Sequence, residues 1–152
     1  MGLKTNHEAI RGVRSRKGVL NGCDVSRTGA NQLTMSAGLV KFGLVAADIT
    51  ALGGQMLNEG GAEKAATLAT FDSTALADGK YVLFLKTDGT LSTTPEAETA
   101  LTDGPLMAIN VPGTNPLALR LDTPSVRLGQ FTKAAGAIAA TGAIEYTVRE
   151  DA

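Results

Sequence analysis

The sequence predicts a mainly β protein, an antiparallel β-sandwich or β-barrel of short strands with an extended N-terminal arm. Three observations carry that expectation. Apolar residues at 43% and charged residues at 19% suit a folded chain, and 152 residues suffice for one sizeable core. Gly, Pro, Asn and Asp interrupt the sequence about every ten residues, the spacing of short strands joined by turns. Between these breaks, apolar and polar residues alternate with the period of a half-buried strand. Aromatic residues are only 4% and Trp is absent, so the core falls to Leu, Val, Ile, Ala and Met.

Residues 1–17, "MGLKTNHEAIRGVRSRK", show weak amphipathic spacing and no strong cap, and read as an extended or partly helical arm. Residues 18–152 read as a single β-rich domain. "GVLNGCDVS" and "NQLTMSAG" form short strands around the turn-rich "SRTGAN". In the second, Leu33, Met35 and Ala37 share one face and Gln32, Thr34 and Ser36 the other. Gly38 breaks the run and "LVKFGLV" resumes it, with Val40, Phe42 and Leu44 on one side.

Asn58 to Asp72 leaves helix and strand both open. Glu63, Lys64, Ala65, Ala66 and Leu68 favour a helix, whereas Thr67, Thr70 and Phe71 favour a strand. "KYVLFLKTDGTLSTT" is the clearest hairpin: a strand from Lys80 to Lys86, Asp88-Gly89 at the turn, then a second, polar strand. "YVLFL" has no polar member, so both its faces should be covered, by the core or by a neighbouring chain. "LMAINV", "LALRLDT" and "SVRLGQF" supply further strands. "KAAGAIAATGAI" reads as a loop or an interface strand. "AIEYTVRE" reads as the last strand, with Ile144, Tyr146 and Val148 opposing Glu145, Thr147 and Arg149.

Few residues point to chemistry. Cys23 is the only cysteine, which excludes an intrachain disulfide and a cysteine-built zinc site; it reads as a small core hydrophobe. His7 is the only histidine and lies in the arm, away from any triad or metal cluster. Asp72 with Asp78, and Glu96 with Glu98, are close in sequence, but all four sit in polar turns where carboxylates are ordinary. "DGTLSTT" and "DITALGG" lack the spacing of a calcium loop, and "LGGQ" and "EGG" lack the Lys-Ser/Thr pair of a phosphate-binding loop. The expectation is therefore a non-enzyme with no catalytic residues, no metal and no cofactor. No run approaches the ~18 apolar residues of a membrane span, and no apolar signal core opens the chain, so synthesis in the cytoplasm and no membrane partner are expected.

Charge is unevenly divided. Residues 1–20 hold Lys4, Arg11, Arg14, Arg16 and Lys17 against Glu8 alone, or +4, while the other 132 residues hold 9 basic and 14 acidic side chains, or −5. Those five cations read as a protein-docking arm for an acidic neighbour. They lack the stacking aromatics that would favour nucleic acid. Tyr81, Val82, Leu83, Phe84 and Leu85 are the candidate oligomer interface.

"VLNGCDVSRTGANQLTMSAGLVKFGL", Val19 to Leu44, resembles the short β-modules at fibre bases and on baseplates of tailed-bacteriophage virions. The whole chain is similar to small phage capsid decoration (cement) proteins in being β-rich, Ala/Gly/Thr-rich and poor in Cys and Trp, with an N-terminal arm. The resemblance implies a non-enzymatic virion component, on the capsid or at the tail or baseplate. It further implies a homotrimer docked on other virion proteins, such as the major capsid protein or a tail or baseplate protein. The alternative function is a carbohydrate- or nucleic-acid-binding β-module.

Overall fold

In a computed structural model of the chain, the described residues are 17–43, 63–97, 99–101, 119–121 and 123–152, with 99–101 and 119–121 described as backbone only. The fold is mainly β, with antiparallel sheets that form a half-barrel. No described helix is long and apolar enough to cross a membrane.

The first half is one meander folded at a corner. β1 (Gly18–Gly22), β4 (Gly38–Lys41) and β5 (Glu63–Ala66) form one antiparallel sheet, and β2 (Val25–Gly29), β3 (Gln32–Met35) and β6 (Ala69–Asp72) form another in matching order. Each strand of one sheet continues into a strand of the other after two residues: Cys23-Asp24, Ser36-Ala37 and Thr67-Leu68. Gly22 and Cys23 both take positive φ, 62° and 53°, which turns the chain at the first corner. The Cys23 N–H donates to the Ala37 carbonyl at 3.3 Å and the Ser36 N–H to the Asp24 carbonyl at 2.8 Å, so the bend keeps its backbone bonds. Gly38 permits the close approach. A Cβ there would lie 2.3 Å from the Asn21 oxygen and 2.8 Å from the Cys23 sulfur.

The second half is a four-stranded sheet in the order β12-β11-β7-β8, made of β7 (Gly79–Leu85), β8 (Leu91–Ser92), β11 (Val126–Ala134) and β12 (Ala137–Ile138). β9 (Thr99–Leu101) and β10 (Leu119–Leu121) form a separate antiparallel pair. Both halves feed one core. Val19, Val25, Leu33, Met35, Val40 and Phe42 come from the folded meander, and Leu83, Leu85, Val126, Leu128, Phe131 and Ile138 from the second sheet. Cys23 is fully buried among them. Phe131 stacks on Tyr81, with ring centroids 5.6 Å apart, and meets Phe71 at 6.1 Å.

Several expectations hold and others need correction. The alternation of Leu33 and Met35 against Gln32 is as read, and Val40 and Phe42 are buried on one side. Ala37 is exposed, because the strand ends at Met35 and the corner breaks the period. The stretch expected as one strand at 18–26 is split at the corner, and "SRTG" is strand β2 rather than turn. The undecided 58–72 segment is strand at 63–66 and 69–72. The Asp88-Gly89 hairpin is present, with Gly89 at φ 87° and Asp88 accepting from the Thr90 N–H at 2.9 Å; its second strand is only Leu91–Ser92. Of "KAAGAIAATGAI", residues 139–144 are loop as one reading had it, whereas 133–138 form the β11–β12 hairpin, turned by Ala135 and Gly136 at φ 52° and 79°. "LMAINV" and Leu44 lie outside the described residues.

The expected last strand, "AIEYTVRE", is not a strand. Glu145 makes an isolated bridge with Gln130, Tyr146–Val148 is a 3-10 turn, and Asp151 makes an isolated bridge with Val19. This C-terminal strap crosses from β11, where it bonds Gln130 and Arg127, to β1 without forming a continuous ladder, so period-2 burial is not sustained: Tyr146 is 44% exposed.

Candidate functional site

The root of the arm is built into the body. Lys17 carries its ammonium 2.7 Å from the Thr123 carbonyl, 2.8 Å from the Ser125 carbonyl and 3.6 Å from the Glu150 carboxylate. Its side chain is only 11% exposed. Lys17 is thus an anchor rather than a docking cation, a correction to the arm as read from the sequence. Lys4, Arg11, Arg14 and Arg16, with His7, lie outside the described residues. Beside Lys17 opens a surface cavity of about 330 Å³, lined also by Phe84, Pro95, Glu96, Thr123, Arg127 and Glu150.

This cavity joins the arm root to the apolar strand, and its ionic groups are committed to structure. Glu96 accepts from the Thr87 N–H at 2.7 Å and from the Thr87 hydroxyl at 2.8 Å, pinning the β7–β8 hairpin. Glu150 accepts from the Arg127 N–H at 2.7 Å and from its guanidinium at 3.3 Å. Two cations and two carboxylates balance. Catalysis by a carboxyl pair needs one group left to accept or give a proton to a substrate; here both carboxylates already serve backbone donors.

The candidate interface strand divides by face. Leu83 and Leu85 are fully enclosed in the chain's own core, so they are unavailable to a partner. Tyr81 is turned onto Phe131 and donates its hydroxyl to the Ala77 carbonyl at 2.7 Å. Val82 and Phe84, half-buried on the opposite face, are what the expected interface retains. The uninterrupted apolar run concealed this division, because both faces carry apolar residues for different reasons.

Lys133 was not singled out from the sequence. It is 4% exposed, and its ammonium donates to the carbonyls of Ser73 at 2.6 Å and Leu76 at 2.7 Å. The cause is a bulge between Arg127 and Gly129. Val126 and Leu128 face the core before it and Phe131 and Lys133 after it, because one extra residue reverses the alternation. Gly129 in mid-strand was the available signal. Lys133 therefore clasps the loop between β6 and β7.

Of the paired carboxylates, Asp72 and Asp78 are turn fasteners too, and Glu98 lies outside the described residues. Asp72 accepts from the Thr74 hydroxyl and N–H, which hold its carboxyl below the ordinary range. Asp78 accepts from the Gly136 N–H at 3.0 Å. Asp88 is lowered in the same way by Thr90. Burial pushes the Cys23 thiol up, with Arg149 opposing, so it is a poor nucleophile. Among the described residues no three His, Cys, Asp or Glu side chains gather as metal ligands.

What most distinguishes the two sides of the folded meander is their edges. The β1–β2 edge is sealed by the C-terminal strap. Val19 donates to the Glu150 carbonyl at 2.9 Å, and Ala152 donates to Val19 at 3.2 Å. The Tyr146 hydroxyl accepts from the Val25 N–H at 3.2 Å, and the Arg149 guanidinium donates to the Gly22 carbonyl at 2.9 Å. Arg149 also pairs with Asp151 at 2.9 Å and lies over the Tyr146 ring. β5, at the other margin, has no strand on its outer side among the described residues. Glu63, Lys64 and Ala65 are exposed there, and Leu68 at the following bend is 66% exposed.

The chain matches no protein-family model, and neither a curated protein nor a solved structure was found to match it.

Proposed function

We propose that the protein is a non-enzymatic structural component of a tailed-phage virion, either a capsid decoration (cement) subunit or a tail or baseplate attachment subunit. It acts by oligomerising and by docking on other virion proteins. The observation that carries the non-enzymatic part is the use of its charged side chains. Lys17, Lys133, Glu96, Arg149 and Glu150 each fasten a loop, a strap or a strand end, and in the cavity that Lys17, Glu96 and Glu150 share both carboxylates are held by backbone donors. The virion setting and the homotrimer rest on the resemblance to phage decoration and fibre-base modules. The basic arm, Lys4 to Arg16, supplies orientation toward acidic neighbours, an effect that salt weakens.

Light scattering on the purified protein tests the reading. A stable small oligomer at low and moderate salt is expected, and particles assembled with the chain lacking residues 1–16 should incorporate less of it. A monomer at every concentration that also fails to join particles would contradict the proposal.

A further inference from the structure

The C-terminal strap is held in a different way from the strands it touches. We infer that Tyr146 to Ala152 form a releasable latch, hinged at Glu145, that opens as one unit while the sheets behind it stay folded. The latch stands whether or not the chain assembles with copies of itself.

The hinge lies where burial stops. Ala143 and Ile144 pack against the core. Glu145 is tied to Gln130 by both of its backbone groups, at 2.8 and 3.0 Å, and its carboxylate accepts from the Gln130 side-chain amide at 2.7 Å. Beyond Glu145 no residue of the strap is buried, and the turn at Tyr146–Val148 has no side-chain cap. A segment that buries so little apolar surface gains little from the hydrophobic effect, which is the main resistance to local opening.

Polar ties hold it instead. Glu150 reaches both sides of the seam: its N–H donates to the Arg127 carbonyl at 2.9 Å, and its carbonyl accepts from the Val19 N–H at 2.9 Å. Its carboxylate takes the Arg127 N–H and faces the Lys17 ammonium. Arg149 holds the corner through the Gly22 carbonyl, and Tyr146 holds Val25 through its hydroxyl. The ion pairs of Arg149 lead to Asp24 and Asp151, whose side chains are 72% and 68% exposed, and pairs so open to water contribute little.

Release breaks no ladder. Val19 stays paired with Val40 on β4, Val25 with Met35 on β3 and Arg127 with Phe84 on β7. Only the outward backbone groups of these three strands change partner, and they exchange the strap for water. That costs far less than separating the sheets. Closed, the latch keeps the β1–β2 margin from pairing with strands of other chains; open, it bares that margin.

Amide exchange on the full-length chain at rising, sub-denaturing denaturant tests the latch. The amides of Val19, Val25 and Arg127 should exchange through an opening that depends weakly on denaturant, because little surface is exposed in it. The Gln130 amide, at the root of the hinge, and the ladder amides of β3 and β7 should follow the steep dependence of global unfolding. Glu150→Ala should lower protection at Val19 and Val25 in equal proportion, by about tenfold, although Val25 is bonded to Tyr146 and not to Glu150. Exchange of Val19, Val25 and Arg127 on the global slope, or of Gln130 on the shallow one, would overturn the inference. So would a loss confined to Val19 and Arg127 in Glu150→Ala, which would show ties that open one at a time. If Glu150→Ala fails to fold, the slopes of the unaltered chain decide alone.

Discussion

The two margins of the folded meander are made of similar strands and have opposite fates. On the β1–β2 side, eight C-terminal residues cross three strand positions and satisfy Val19, Gly22 and Val25 with backbone, guanidinium and phenol groups. On the β5 side the described chain supplies nothing equivalent, although exposed Leu68 sits on that margin. A fold that spends Tyr146, Arg149 and Glu150 on sealing one edge treats its edges selectively. The sealed margin belongs to folding, and we propose that the β5 margin serves association.

That contrast can be broken at several points. The largest effect should come at the corner that both margins share. Gly38→Ala drives a Cβ into backbone atoms of Asn21 and Cys23, and a loss of about 2–3 kcal/mol is expected from such overpacking, read as a lower denaturant midpoint with unchanged slope. The same variant should speed labelling of Cys23 by thiol reagents, since the corner shields that sulfur. Next, Lys133→Met leaves the Ser73 and Leu76 carbonyls without their donor, and about 2 kcal/mol should be lost; full stability would mean that the β6–β7 loop closes without its clasp.

Smaller effects separate the margins themselves. Tyr146→Phe removes the hydroxyl that meets both the N–H and the carbonyl of Val25, at a cost of about 1 kcal/mol, with faster amide exchange at Val25. Leu68→Lys should leave the stability of the single chain within about 0.5 kcal/mol, as for an ordinary surface site, while shifting the oligomer toward monomer. If Leu68→Lys instead unfolded the chain and Tyr146→Phe abolished assembly, the roles assigned to the two edges would be reversed.

The sequence carried the fold class because alternation and turn chemistry are local. Leu33 and Met35, the Asp88-Gly89 turn and the strand at Tyr81 to Leu85 were legible for that reason. It did not carry the features that depend on where distant segments meet. The corner at Gly22-Cys23 looks like one more glycine break until three strands bend at the same level. The strap at Glu145 to Ala152 mimics a strand because Ile144, Tyr146 and Val148 alternate, yet its backbone partners, Gln130, Arg127 and Val19, are scattered and form no ladder. Lys17 read as one of five arm cations, and only Thr123 and Ser125, more than a hundred residues away, reveal it as an anchor. Lys133 was hidden by a bulge that reverses the face on which every later residue of β11 lies.

Amide hydrogen exchange, read residue by residue at low and high protein concentration, tests the edge assignment most directly. The account predicts that Val19 and Val25 are protected equally at both concentrations, because their partners lie in the same chain. It predicts that outward-facing amides of Glu63–Ala66 gain protection only at high concentration. Protection of β5 that is already complete in the dilute single chain, or never acquired at any concentration, would contradict it.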